Sequence, residues 1–240
     1  SYTCVCATGF AGANCETTYQ RDQLVPVGDT YLRSGAPDQN QGALPTLRLR
    51  ASGDNGGLIR FDSAQLAALP GTVTATLTFT IADNGNNWGS TGRPIALHRV
   101  TREWTELGAT WNCAIDTNTS NHSPDCSGAS AWEMGNPLQP DLYPWVATPT
   151  ATANITSAQT GVVSFDISGD VALFRSGAAL NYGWILKKVD ENATGRVEFH
   201  SRETANAPVL LISVVDDTGI DDCDDDPCQN GGTCVDDVAG

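Results

Sequence analysis

The chain has 240 residues, with 13 Lys and Arg against 28 Asp and Glu, eight Cys and a formal net charge of −15. That balance excludes a nucleic-acid-binding surface, which has to be built from clustered cations. No apolar run approaches the roughly 20 residues of a membrane helix, so insertion into a bilayer is excluded as well.

In chain order, residues 1–20 hold Cys4, Cys6 and Cys15 and a single charge, Glu16. The opening Ser1-Tyr2-Thr3-Cys4 gives the expectation of a piece of a longer secreted chain. Residues 21–215 carry all 13 cations against 18 anions and are long enough for one domain with a sizeable core. Alternating apolar or β-branched residues predict strands at Thr30–Arg33, Thr46–Arg50, Gly57–Phe61, Thr72–Ile81, Ile95–Val100, Gly161–Ile167, Tyr182–Leu186, Arg196–His200 and Pro208–Val215. Gly, Asn and Pro clusters punctuate them. Nine or ten short strands at this spacing predict an all-β, two-sheet sandwich. Only Ser63 to Leu69 and Gly169 to Arg175 read as helical turns. The loop from residue 112 to about 142 contains Cys113 and Cys126, expected to close it as an internal disulfide. Residues 216–240 hold nine Asp, no Lys or Arg, and Cys223, Cys228 and Cys234.

Three cysteines at each end leave one over in each cluster if the other two pair, which suggests an intermolecular bond in a secreted protein. A zinc site would need Cys-x-x-Cys knuckles or nearby histidines, whereas His98, His122 and His200 are scattered. Placing Gly240 before Ser1 gives six cysteines separated by 4, 5, 9, 1 and 8 residues. With Pro227-Cys228-Gln-Asn-Gly-Gly-Thr233-Cys234 on one side and Tyr2-Thr-Cys4-Val-Cys6, Gly9-Phe10 and Gly12 on the other, this strongly resembles one complete EGF-like module split across the termini. The resemblance implies Cys223–Cys234 and Cys6–Cys15 bonds within one copy, and a Cys228–Cys4 bond to the next. Either the 240 residues are the period of a tandem repeat, or separate chains complete each other's half modules. Both give a head-to-tail contact and an open filament unless the rotation closes a ring. The same resemblance makes Thr233 an O-glycosylation candidate. It also makes Asp221, Asp222, Asp236 and Asp237 candidate calcium ligands, hard oxygens suited to that ion. An extended, self-repelling acidic hinge is the other reading of these aspartates.

The stretch from about residue 24 to 215 resembles the DNRLRE family of extracellular jelly-roll domains. The residues that carry it are Asp29-Thr-Tyr-Leu-Arg-Ser-Gly-Ala-Pro-Asp-Gln-Asn40, Leu58-Ile-Arg-Phe-Asp62, Val100-Thr-Arg-Glu-Trp104-Thr-Glu106, Ala109-Thr-Trp111-Asn-Cys113 and Phe199-His-Ser-Arg202-Glu203. The resemblance implies secretion, surface attachment or glycan contact, and no reaction. Asp29 and Asp62 are further calcium candidates, also readable as strand-end or turn residues. Asn118, Asn121, Asn154 and Asn192 head N-glycosylation sequons in predicted loops. Trp88 and the Tyr143-Pro-Trp145 segment are the loop aromatics for stacking on a sugar. Trp104, Trp111 and Trp184 are expected in the core, and Trp132 has no assignment. No nucleophile elbow, metalloprotease motif or phosphate loop is present.

These readings combine into a non-enzymatic, extracellular glycosylated repeat unit: a jelly-roll bead (21–215) between EGF-like halves (1–20 and 216–240). It would assemble with identical copies, with covalent glycans and calcium as the accompanying groups. The alternative is a carbohydrate-binding module of a secreted adhesin or enzyme, with extracellular glycans as partners.

Overall fold

The computed structural model describes residues 10–11, 17–50, 55–128, 132 and 143–216. Among the described residues twelve strands and two short helices follow one another: β1 (Phe10–Ala11), β2 (Thr17–Leu24), β3 (Gly28–Arg33), β4 (Thr46–Arg50), β5 (Asn55–Arg60), α1 (Ser63–Ala67), β6 (Thr72–Asn84) and β7 (Arg93–Arg99) come first. They are followed by β8 (Ala151–Ile155), β9 (Val162–Asp166), α2 (Ser168–Arg175), β10 (Trp184–Lys188), β11 (Arg196–His200) and β12 (Val209–Asp216). One sheet runs β1-β2-β12-β6-β11-β4, with β9 also paired to β6, and the other runs β3-β5-β10-β7-β8. The result is an all-β sandwich. Among the described residues, no helix is long and apolar enough to cross a membrane.

The period-2 pattern sends alternate side chains inward. On β12, Leu210, Ile212 and Val214 are buried while Leu211 between them is exposed. Leu47 and Leu49 on β4, Leu77 and Phe79 on β6, Ile95 and Leu97 on β7, and Trp184 and Leu186 on β10 meet them in the main core. Phe79 packs edge-on against Phe165, with ring centroids 6.0 Å apart. α1 is capped by Asp62, whose side chain accepts the Gln65 backbone N–H. Asp62 is thus occupied as a helix cap. Asp170 on α2 is buried and accepts from Trp184 Nε1 (2.8 Å), Thr150 Oγ1 (2.5 Å) and Arg99 Nε (3.1 Å), tying α2 to the smaller sheet.

The outer face of the smaller sheet is covered as well. Leu32, Leu58 and Ile185 point away from the main core and meet Val100, Trp104, Ala109, Ala114 and Trp132 in a second core. The connection between β7 and β8 supplies most of these side chains, and a Cys113–Cys126 disulfide crosslinks it. Trp104 Nε1 donates to the Tyr182 carbonyl and Trp132 Nε1 to that of Thr110, each at 2.8 Å, so both indoles are buried without an orphaned N–H. Trp104 and Trp184 are fully buried, and Trp111 packs half-buried against the second core.

β2 begins at Thr17, ahead of residue 21, and pairs antiparallel with β12 along its length, Thr18 facing Asp216. The chain therefore enters and leaves the sandwich at one corner.

Candidate functional site

Residues 143–146 lie along the end of β7. Trp145 bridges to Val100, the Val146 N–H donates to the Arg99 carbonyl (2.9 Å) and the Thr101 N–H to that of Pro144 (2.8 Å). Tyr143 and Trp145, two positions apart on this extended segment, put their rings in parallel, with centroids 5.0 Å apart and planes within 4°. Both are half-buried. Trp145 is anchored against the second core.

The neighbouring strands supply the rim. Ile185 faces His98 and Lys187 faces Ala96 across the β10–β7 pair, which puts all four on the outer face of the sheet. Lys187 Nζ lies 4.8 Å from the Trp145 ring centroid and forms an ion pair with Glu191. A cation over an indole gains from the ring quadrupole. His98 Nδ1 donates to the Val146 carbonyl at 2.9 Å and so fixes the segment that carries Trp145. Burial, and secondarily the nearby Lys187, holds the His98 imidazole below its ordinary pKa against the opposing effect of the Val146 carbonyl. A half-exposed aromatic stack with a cation and a carboxylate beside it suits the apolar face and hydroxyl rim of a sugar ring. A shallow groove on the outer face of the larger sheet is lined, among the described residues, by Asp22, Gln23, Thr74, Thr76, Leu211, Ile212 and Ser213, none of them aromatic.

The expectation for Trp88 is corrected. Its ring is 0 % exposed, with Nε1 donating to Asn84 Oδ1 (3.0 Å) and the Arg196 carbonyl (3.3 Å). Gly195, at φ +117°, lies so close that a Cβ there would come within 2.8 Å of the indole. Buried Lys188, held by the Ala193, Thr194 and Gly195 carbonyls, sits 5.3 Å from the ring centroid. Trp88 closes this end of the core and offers no face to a sugar.

A second polar constellation lies where β3 begins. Asp29 is fully buried. Its Oδ2 accepts the Arg202 backbone N–H at 2.8 Å, and its Oδ1 has no hydrogen-bond partner. Glu106, from the β7–β8 connection, accepts the Asp29 backbone N–H (2.9 Å) and both contacts of the Arg202 guanidinium (3.0 and 2.8 Å). With the exposed Glu203, oxygens of all three carboxylates lie within 4.8 Å of one another. Burial pushes the Asp29 carboxyl up to about 7, aided by the charges of Glu203 and Glu106. The loop bearing Glu106 is held tightly, since Asn40 Nδ2 donates to the Glu106 carbonyl at 2.7 Å and a Cβ on Gly42 would come within 2.4 Å of that oxygen.

The sequon residues Asn118, Asn121, Asn154 and Asn192 are all exposed. Asn118 and Asn121 lie in or beside turns of the disulfide-closed loop, whereas Asn154 lies on the edge strand β8. Cys4, Cys6, Cys15, Cys223, Cys228, Cys234, Asp221, Asp222, Asp236, Asp237 and Thr233 fall outside the described residues. Sequence reasoning named Tyr143 and Trp145 but missed Lys187, His98, Glu106 and Glu203. The available signal was local: Glu106 and Glu203 each close a motif of the jelly-roll resemblance, and Asp29 opens another.

No curated protein matches the chain. The sequence model of Carbohydrate-binding module family 96, a family of β-sandwich domains, matches residues 20–134, a span reaching from β2 through the disulfide-closed loop, and it is to that family that this part of the chain is similar.

Proposed function

We propose that the chain is a non-catalytic, extracellular carbohydrate-binding module that stacks a sugar ring on the exposed part of the Tyr143–Trp145 stack, with Lys187 and Glu191 beside it and His98 holding the segment from beneath. The parallel, stacked and half-buried rings carry this reading, and the family match over residues 20–134 supports it. Two aromatic rings fixed before binding cost little ordering entropy when a ligand arrives. Affinity electrophoresis against a panel of neutral and uronic-acid polysaccharides tests it. At least one should retard the chain, and the Y143A/W145A variant should migrate freely in that gel. Retardation by none, or equal retardation of the variant, would overturn the reading.

A second reading, a repeat unit joined head to tail through EGF-like halves, is favoured by the pairing of β2 with β12. That pair sets Thr18 opposite Asp216, so the segments leading to the two parts of the split cysteine pattern set out from one corner. Identical copies would then be strung along a glycosylated filament with the sandwiches to one side. Non-reducing peptide mapping decides it: a Cys228–Cys4 linked peptide is expected, and free thiols at both positions would end the idea.

A further inference from the structure

We propose that Asp29, Glu106 and Glu203 form a calcium site that fastens the start of β3 to the β7–β8 connection and to the turn before β12. This is independent of the sugar-binding reading, because the readout is the ion itself.

Three observations converge on it. The oxygens of the three side chains lie within 4.8 Å of one another, close enough to share one ion. Arg202 pairs directly with Glu106, so three carboxyl groups gather around one ion-paired cation. Asp29 Oδ1 is buried and has no hydrogen-bond partner, although its sister oxygen is satisfied. A buried polar atom left unpaired is costly. A cation bound by Oδ1 removes that cost and offsets the repulsion among the carboxylates.

The ligand chemistry selects the ion. An all-carboxylate set without Cys or His suits a hard cation. The mixed buried and exposed edge leaves room for water to complete the six to eight ligands calcium takes, whereas magnesium demands a tighter octahedron. The residues come from positions 29, 106 and 203, so the ion would crosslink segments distant in sequence, as a disulfide does.

The experiment uses the full chain, stripped with a chelator, dialysed and titrated with CaCl2 in a calorimeter, with Tm followed in parallel. Binding is expected with Kd on the order of 10⁻⁴ to 10⁻³ M, with Tm raised by roughly 3–8 °C at 10 mM calcium. D29N should abolish the rise, and without calcium should be at least as stable as the parent, since it removes the buried acid. E203Q, at an exposed position where folding is not at stake, should weaken binding at least about tenfold. A chain with D221N, D222N, D236N and D237N should keep the full Tm rise. The proposal is overturned if no calcium binds by 10 mM, if the rise survives E203Q unchanged, or if it disappears in the fourfold variant alone.

Discussion

Tyr143 and Trp145 lie face to face with planes 4° apart, and only Trp145 is tied into the second core. The two substitutions should therefore separate. Y143A is expected to weaken polysaccharide binding about tenfold, a loss of roughly 1.4 kcal/mol, with Tm lowered by no more than about 1–4 °C through loss of the Trp145 stack. W145A should weaken binding at least as much and also lower Tm by several degrees. Matched calorimetric titration and thermal melts check both. An unchanged affinity in Y143A would remove the ring pair from the binding surface.

Trp88 gives the opposite pattern. W88A leaves a cavity beside Lys188 and removes one of the hydrogen bonds accepted by Asn84 Oδ1 and by the Arg196 carbonyl, an expected loss of about 3–5 kcal/mol and of about 10 °C in Tm. Where W88A remains folded at low temperature, its sugar affinity should equal that of the parent. A binding defect without a stability defect would contradict the burial of this ring.

His98 should titrate below the ordinary imidazole range, because burial disfavours its charged form. The sign follows from linkage. A base whose folded pKa is depressed binds fewer protons folded than unfolded, so its contribution to stability is complete above about pH 6.5 and is lost as pH falls through the folded pKa. An NMR titration of the His98 ring should show a midpoint below 6.5. The stability of H98Q relative to the parent should improve on acidification over the same interval. A midpoint above 6.5 would show that the ring is charged beside Lys187.

The Cys113–Cys126 bond closes a short loop, with a sequence separation of 13, so chain entropy assigns it about 3 kcal/mol. C113A/C126A should lower Tm by roughly 6–12 °C. Its tryptophan emission should shift to the red, since Trp104, Trp111 and Trp132 belong to the cover that the bond crosslinks. Equal melting of variant and parent would show that the second core holds the loop unaided.

The strands with clean alternation were legible from sequence because a half-buried strand announces its face: β4, β6 and β12 each fall within two or three residues of expectation. β8 was missed since Ala151-Thr-Ala-Asn-Ile155 has one large apolar residue and an edge position with little to bury. β2 was missed because Thr17–Leu24 reads as polar, and its place comes from pairing with β12. Trp88 sits among Asn and Gly residues, which marks a loop but not the direction of the ring. Trp132 could not be placed because its partner, the Thr110 carbonyl, lies 22 residues away. The carboxylate constellation was invisible for the same reason: no local spacing links Asp29 to Glu106 and Glu203.

The register that sets Thr18 opposite Asp216 and Leu24 opposite Leu210 also fixes how the sandwich responds to load. Interstrand hydrogen bonds in an antiparallel pair run perpendicular to the strands, and a pull applied to both chain ends acts along them. Tension is felt first by the outermost bond at that corner, then by the next, so β2 and β12 part like a zipper instead of shearing as a block. Pulled between Thr18 and Asp216, the sandwich would open at this corner one rung at a time.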